Sequence, residues 1–293
     1  MEHQLWARIV AILGDLHKPR FDPRKRFDDL RIVAVWYWAV LHDRPVAWAV
    51  QKRNWPVWLQ RNPLPTNSTM SRRLRTKTVQ ALLDQLEARV TRRPASGSLV
   101  WLIDGKPLTI GGASGDRQAG YGRAASSKAK GYKLHALVGA DNSLAQWRLT
   151  PMNTDERTMA ARMLRSAEIH GYVVGDANYD SNELHATCDA KGSLQLVTPR
   201  RYGRGRATGH RKQTTGRLRS IEILEHPKPH FGRGLLKQRG DVERFFGKIT
   251  NWGGGLTHLP PWIRGYRRVH RWVQAKLVCY YVKSPLPITT CVA

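Results

Sequence analysis

The chain has 293 residues, 41% of them hydrophobic, enough for one large domain or two modest ones with a real core, so global disorder is excluded. Forty-nine Lys and Arg against 22 Asp and Glu give a formal charge of +27, spread along the chain and not gathered in one tail. Such self-repulsion suits a polyanionic partner, nucleic acid ahead of an anionic membrane, and predicts affinity for DNA that falls steeply with salt. Cys188, Cys279 and Cys291 are too few and too scattered for a disulfide framework, which points to a reducing cytoplasm. His185 and Cys188 stand at i and i+3, but no second pair completes a zinc site. The acidic residues Glu2 and Asp15 around the first apolar run argue against a signal peptide, and the longest apolar run, Ile32 to Leu41, is too short to cross a bilayer.

In chain order, residues 1 to 94 read as a helical DNA-binding domain. Leu5, Ile9, Ile12, Leu13 and Leu16 recur at helical spacing, as do Leu30, Val33, Ala34, Tyr37, Trp38 and Leu41. Thr66, Asn67 and Ser68 offer caps for a short basic helix from Thr69 to Arg75, and Val79, Leu82, Leu83, Leu86 and Val90 make a further apolar face. The Arg-rich segment (Arg72, Arg73, Arg75) and the turn beside it suit either a helix-turn-helix reader or a plain bundle with a solvated basic face. Residues 92–98 are a linker by composition.

Beyond it the periodicity changes. Leu99 to Ile103 is an apolar strand that ends on Asp104, with Pro107 to Ile110 as a possible continuation past a kink. Residues 111–127, rich in Gly, Ala and Ser, read as a mobile loop. Tyr132 to Gly139 and Leu144 to Leu149 are the next strands, joined by the turn chemistry of Asp141, Asn142 and Ser143. Thr154 caps a predicted helix from Asp155 to Ala167 with Met159, Met163 and Leu164 inward. Tyr172 to Val174 is a buried strand, Ser181 to Ala190 a helix and Leu194 to Val197 a fifth strand; Asp180 reads as the cap of that helix. Three meandering strands followed by an alternating helix–strand half is an α/β pattern with a mixed sheet. Residues 200–219 read as a flexible basic loop.

Asp176 follows Val174 by one glycine, as Asp104 follows Ile103. An ionised carboxylate at the mouth of an apolar strand must be paired, hydrated or metal-bound, and two of them far apart in sequence suggest one shared site. Val242, Phe245, Phe246 and Ile249 mark a helical stripe with Glu243 on its edge, and Arg239 one turn earlier can face Glu243. Arg244 and Lys248 lie on the outer face, as solvated charge or as DNA contacts. A last helix is expected from Pro261, with Trp262, Tyr266, Val269, Trp272, Val273, Leu277 and Tyr280 packed on the sheet and arginines outward.

Ile103-Asp104-Gly105, Gly131-Tyr-Lys-Leu-His135, Asp176-Ala-Asn-Tyr-Asp-Ser181 and Arg239-Gly-Asp-Val-Glu243-Arg244-Phe-Phe246 together resemble the bacterial insertion-sequence transposases with an Asp-Asp-Glu triad, over roughly residues 27 to 282. Some relatives have a Tyr before the Arg of the last motif and a Lys seven positions after its Glu; here Leu236 and Thr250 stand there, and Lys248 is the candidate substitute for that lysine. The resemblance implies a ribonuclease-H-like catalytic domain over residues 95 to 255, preceded by the all-α domain and followed by a C-terminal helix and tail, residues 256 to 293. It implies that Asp104, Asp176 and Glu243 are catalytic and hold two Mg²⁺ ions, with Mn²⁺ able to substitute. The implied reaction is hydrolysis at the element's ends, then strand transfer into target DNA. Arg239, Lys133 and His135 become backbone contacts or structural groups. The implied partner is double-stranded DNA, bound by a homodimer, with no membrane role, in a cytoplasmic, nucleoid-associated setting. The rivals are a nuclease of the same fold without strand transfer and a catalytically silent DNA-binding derivative.

Overall fold

The computed structural model describes residues 1–16, 26–91, 97–124, 127–201, 212–226, 230–251, 255–256 and 258–284. The chain divides into two compact units: residues 1–92 with 249–293, and residues 93–248.

The first unit is helical. In α1 (Glu2–Leu16), Trp6, Ile9 and Leu13 form the buried stripe. Asp28 caps α2 (Asp29–Leu41) by accepting from the Arg31 N–H, and Ile32 through Val40 are buried on every side, so α2 is the centre of the unit. A short α3 (Val46–Ala49) leads to α4 (Asn67–Arg73), which starts two residues earlier than expected because Thr66 itself is the cap. α5 (Lys77–Thr91) buries Val79, Leu82, Leu83 and Leu86. Trp38 and Trp55 stack at 4.6 Å while Trp6 meets both edge-on, and each indole N–H reaches a backbone carbonyl, of Ala34, Asn54 or Ala49.

The second unit is built on a six-stranded mixed sheet. β1 (Val100–Thr109) runs unbroken through the expected kink. β2 (Gly120–Ala124) and the first residues of β3 (Ser127–Gly139) form a hairpin where a loop was expected. β4 (Leu144–Pro151) is antiparallel to β3, and β3 to β1. Then come α6 (Glu156–Ser166), β5 (Gly171–Val174), α7 (Asn182–Asp189) and β6 (Leu194–Val197), with β5 parallel to both β1 and β6. The order β4-β3-β1-β5-β6, with β2 as an added arm, is the ribonuclease-H-like arrangement: an antiparallel meander extended by parallel strands. Gly171, at φ 95°, opens β5 so close to β1 that a Cβ there would stand 2.3 Å from the Leu99 carbonyl oxygen. Met159, Met163 and Leu164 of α6 pack with Trp101, Ile103, Val173 and Leu196, as their spacing predicts.

α8 (Thr215–Glu225) replaces the end of the expected basic loop; residues 202–211 lie outside the described residues. The helical stripe read around Glu243 belongs to α10 (Gly240–Asn251), which follows α9 (His230–Gln238) after a break at Arg239, so Arg239 precedes the helix that carries Glu243. The final helix, α11 (Tyr266–Lys283), begins after Gly265 and not at Pro261. It packs against α1, α2 and α5 in the first unit, not on the sheet, because it is buried all round. Trp272 is core, Gln274 donates to Asp84 and Glu87, and the buried Lys276 ammonium holds Asp43 and the Val40 carbonyl. The expected tail from residue 285 lies outside the described residues. No helix of the described residues is long and apolar enough to cross a membrane.

Candidate active site

The parallel pairing of β1 with β5 sets Leu102 against Val174. Asp104 follows Leu102 by two residues and Asp176 follows Val174 by two, and the two carboxylates come near enough for the Asp176 charge to act on Asp104. Asp104 is a mid-strand residue, paired across to Ala136 of β3, where a strand end was expected. Asp176 lies past the end of β5 and caps a single 3-10 turn, Ala177–Tyr179, accepting from the Asn178 N–H at 2.8 Å.

Burial, and then the negative charges of Asp176 and Glu156, push the Asp104 carboxyl up to about 6; the Gly105 N–H, 2.7 Å away, and Arg239 pull the other way. Beneath the pair lies Tyr179, 1% exposed, whose hydroxyl has no hydrogen-bond partner among the described residues. Burial and the three carboxylates Asp104, Glu156 and Asp176 hold its proton on well above the usual phenol range.

Glu156, in the first turn of α6, is the acid that the sequence reading missed. One of its oxygens takes the Lys133 ammonium and the other accepts from the Asn178 side chain at 2.8 Å. It therefore ties β3 and α6 to the turn that presents Asp176. A Cβ on Gly105 would press on Lys133 Cδ at 3.1 Å and touch Glu156 Oε1 at 3.6 Å. Acids are ordinary in a helix's first turn, and that disguised Glu156. The neighbouring Asp155, not Thr154, is the α6 cap.

Glu243 faces Arg239 as expected, at 3.3 Å, but its side chain is 66% exposed. Among the described residues no three acid, histidine or cysteine side chains converge closely enough to hold one ion. The folded chain thus brings Asp104 and Asp176 together, with Glu243 one arginine away; that same Arg239 also acts on Asp104.

Other expected contacts are placed differently. Lys133 is committed to Glu156, and His135, 2% exposed and bonded to Thr150 Oγ1 at 2.9 Å, is held neutral by burial, its pKa lowered to about 4. Neither offers a free side chain to DNA. Arg244 is exposed and pairs with Asp241, while Lys248 is exposed. Asp180 is not a cap: Ser181 already accepts from the Leu184 N–H, and Asp180 turns to a buried two-pronged pair with Arg217, both bonds 2.8 Å. Arg73 is likewise buried, held by Asp29 and by the Phe27 carbonyl, which leaves Arg72 and Arg75 as the exposed members of the expected basic trio. Arg73→Gln is therefore expected to lower the unfolding temperature and leave the salt dependence of DNA binding in place, with Arg72→Gln and Arg75→Gln doing the reverse; thermal melts and titrations of the variants in parallel check this.

A ribonuclease-H-like sheet with paired carboxylates at adjoining strands, in a strongly basic chain, defines a class of enzymes that work on nucleic acid. Within that class the chain belongs to the family described as transposase DDE domain, whose model matches residues 95–282, more than half of its length. The match covers the α/β unit together with α11. Comparison with curated proteins and with solved structures finds no match. Membership makes it a transposase-type enzyme acting on DNA, in a family that generally uses divalent metal ions.

Proposed function

We propose that this chain is the transposase of an insertion sequence, cutting phosphodiester bonds at the element's ends and joining the freed 3′-hydroxyl to target DNA. The observation that supports the reading is the parallel pairing of β1 with β5, the strands that lead into Asp104 and Asp176, together with the Asp176 charge acting on Asp104. The raised Asp104 carboxyl supports a divalent-ion site: the half-buried Asp104 and Asp176, with Glu156 nearby, gather negative charge that a cation relieves. Mg²⁺, or Mn²⁺ in its place, fits the all-oxygen donor set of Asp104 and Asp176, with Glu243 as the third donor. Such ions polarise the phosphate and lower the pKa of bound water.

The chain's own residues do the rest. Asp104 presents its carboxylate from a hydrogen-bonded strand, so little reorganisation accompanies the reaction. Arg239 holds Glu243 and adds positive charge beside the acids. Arg72, Arg75, Arg244 and Lys248 supply exposed cations for the DNA backbone, and pairing of two ends calls for a homodimer. The test is incubation of the purified chain with duplex carrying the element's ends, a target plasmid and Mg²⁺. Joined products support transposition; cleaved but unjoined ends favour the nuclease reading; no metal-dependent cleavage removes both.

Glu156 acts here as a positioning residue. Glu156→Gln is expected to slow cleavage about 10- to 100-fold, in the range seen when a metal ligand's hydrogen-bonded support is removed. Mn²⁺ affinity measured by calorimetry should weaken in step, and Glu156→Asp should recover part of both.

A further inference from the structure

The β2–β3 hairpin has two unlike faces. Its register pairs Tyr121 with Lys130 and Arg123 with Lys128, so by strand alternation these four side chains share one face. Gly120, Gly122, Ala124, Ser127, Ala129 and Gly131 make up the other. The small face is packed hard: a Cβ on Gly122 would stand 2.5 Å from the Met152 carbonyl oxygen, and one on Gly131 2.2 Å from that of Leu108. That contact fixes which way the basic face looks. There Tyr121 is 52% exposed, with the Lys128 and Lys130 ammonium groups 6.0 and 5.8 Å from its ring centre. Lys130 also donates to the Ser114 carbonyl at 2.7 Å.

Arg123 and Lys128 are exposed, directly opposite each other, and among the described residues neither has an acidic partner. Like charges across a strand pair are destabilising. No acid occurs from Arg117 to Ala140 to offset them. The arm thus holds two like charges opposite each other with no acid paired to either among the described residues, on a two-stranded ribbon of a width that the major groove of B-DNA admits.

We infer that the basic face of this hairpin is a duplex-DNA contact, gripping phosphates through Arg123 and Lys128. The inference rests on the reading of the chain as a DNA-cutting enzyme and adds where the substrate is held. β3 carries both the hairpin and Ala136, the partner of Asp104. Six to eight residues of extended strand separate Lys130 and Lys128 from that point, about 20–26 Å, which corresponds to about six to eight base pairs from the cleaved bond.

The test is a titration of the full chain against labelled duplex over a range of KCl concentrations. Arg123→Gln/Lys128→Gln is expected to bind roughly 10- to 50-fold more weakly at ~0.1 M salt, with a log–log salt slope shallower by about 2. Its unfolding temperature should stay level or rise, since the opposed charges are gone. Unchanged affinity and slope in the double variant overturn the hairpin contact and leave the DNA reading standing; a wild-type chain that binds no duplex overturns the DNA reading itself. Independently, Arg123→Cys carrying an iron-chelate cleaver should cut the duplex about six to eight base pairs from the nick. Cuts elsewhere, or none, overturn the placement.

Discussion

Asp104→Asn is expected to abolish cleavage, by about a thousandfold or more (~4 kcal/mol of barrier), and to leave duplex binding and its salt slope largely intact. Asp176→Asn and Glu243→Gln should follow it in activity, and full-rate cleavage by any of the three removes that acid from the proposed set. Asp104 carries a second, opposite expectation. Its carboxyl moves from 3.8 to about 6 on folding because burial and then Asp176 and Glu156 oppose its charge. At neutral pH that charge costs the folded state about 3 kcal/mol, an upper bound that the amide avoids. The inactive variant should therefore melt higher than the wild type in metal-free buffer.

Acidification closes the gap between the two proteins. Protonation of Asp104 favours the folded chain, an effect present below the unfolded value and lost as pH rises through 6. His135 works in reverse: burial lowers its pKa from 6.5 to about 4, so the unfolded chain takes that proton first. Between pH 6.5 and 4 the two contributions, each about 3 kcal/mol, offset one another. Denaturant melts should show a nearly flat wild type across this window and an Asp104→Asn variant that loses stability as pH falls; parallel curves refute the balance.

Asp180→Asn, four residues after the proposed metal ligand, should do the contrary: destabilise the fold while the molecules that remain folded keep their cleavage rate. Asp180 and Arg217 have side chains only 4% and 3% exposed, joined by two bonds, with the Arg201 N–H and His185 beside them. Removing one charge leaves a guanidinium buried without its counter-ion, at a cost of about 3–5 kcal/mol. Burial alone would raise the Asp180 carboxyl, but His185, Arg217 and the Arg201 N–H outweigh it and hold it well below the usual carboxylate range. The pair's contribution is thus present above the unfolded carboxylate value, near pH 4, and is lost as pH falls through the folded one. Urea melts at pH 7 measure the loss; a fall under about 1 kcal/mol would mark Asp180 as a surface pair.

These contrasts show what was legible in the sequence. The strands before Asp104 and Asp176 stood out because an acid after an apolar run is rare, and the parallel register then follows from the fold. The helical stripes of α1, α2, α5 and α6 were readable for the same periodic reason. The hairpin was hidden because its inward face is Gly, Ala and Ser: the alternation is present, but the residues that carry it hardly register as hydrophobic. Arg73 and Asp180 were misread, and Lys133 was left undecided, because a buried ion pair, a cap and a solvated charge use the same letters, and only tertiary packing supplies the partner. α11 was assigned to the wrong surface since its length of apolar sequence says that it is covered, not by what.

The unequal mounting of the two aspartates carries a mechanical implication. Asp104 is clamped into the ladder with β3, so its backbone is expected to exchange its amide protons only when the whole unit opens. Asp176 rides on a single tight turn held by Asn178 and, through it, Glu156. One carboxylate is thus fixed by a ladder and the other by a single turn, so in the proposed site any change in their separation would come from the Asp176 side.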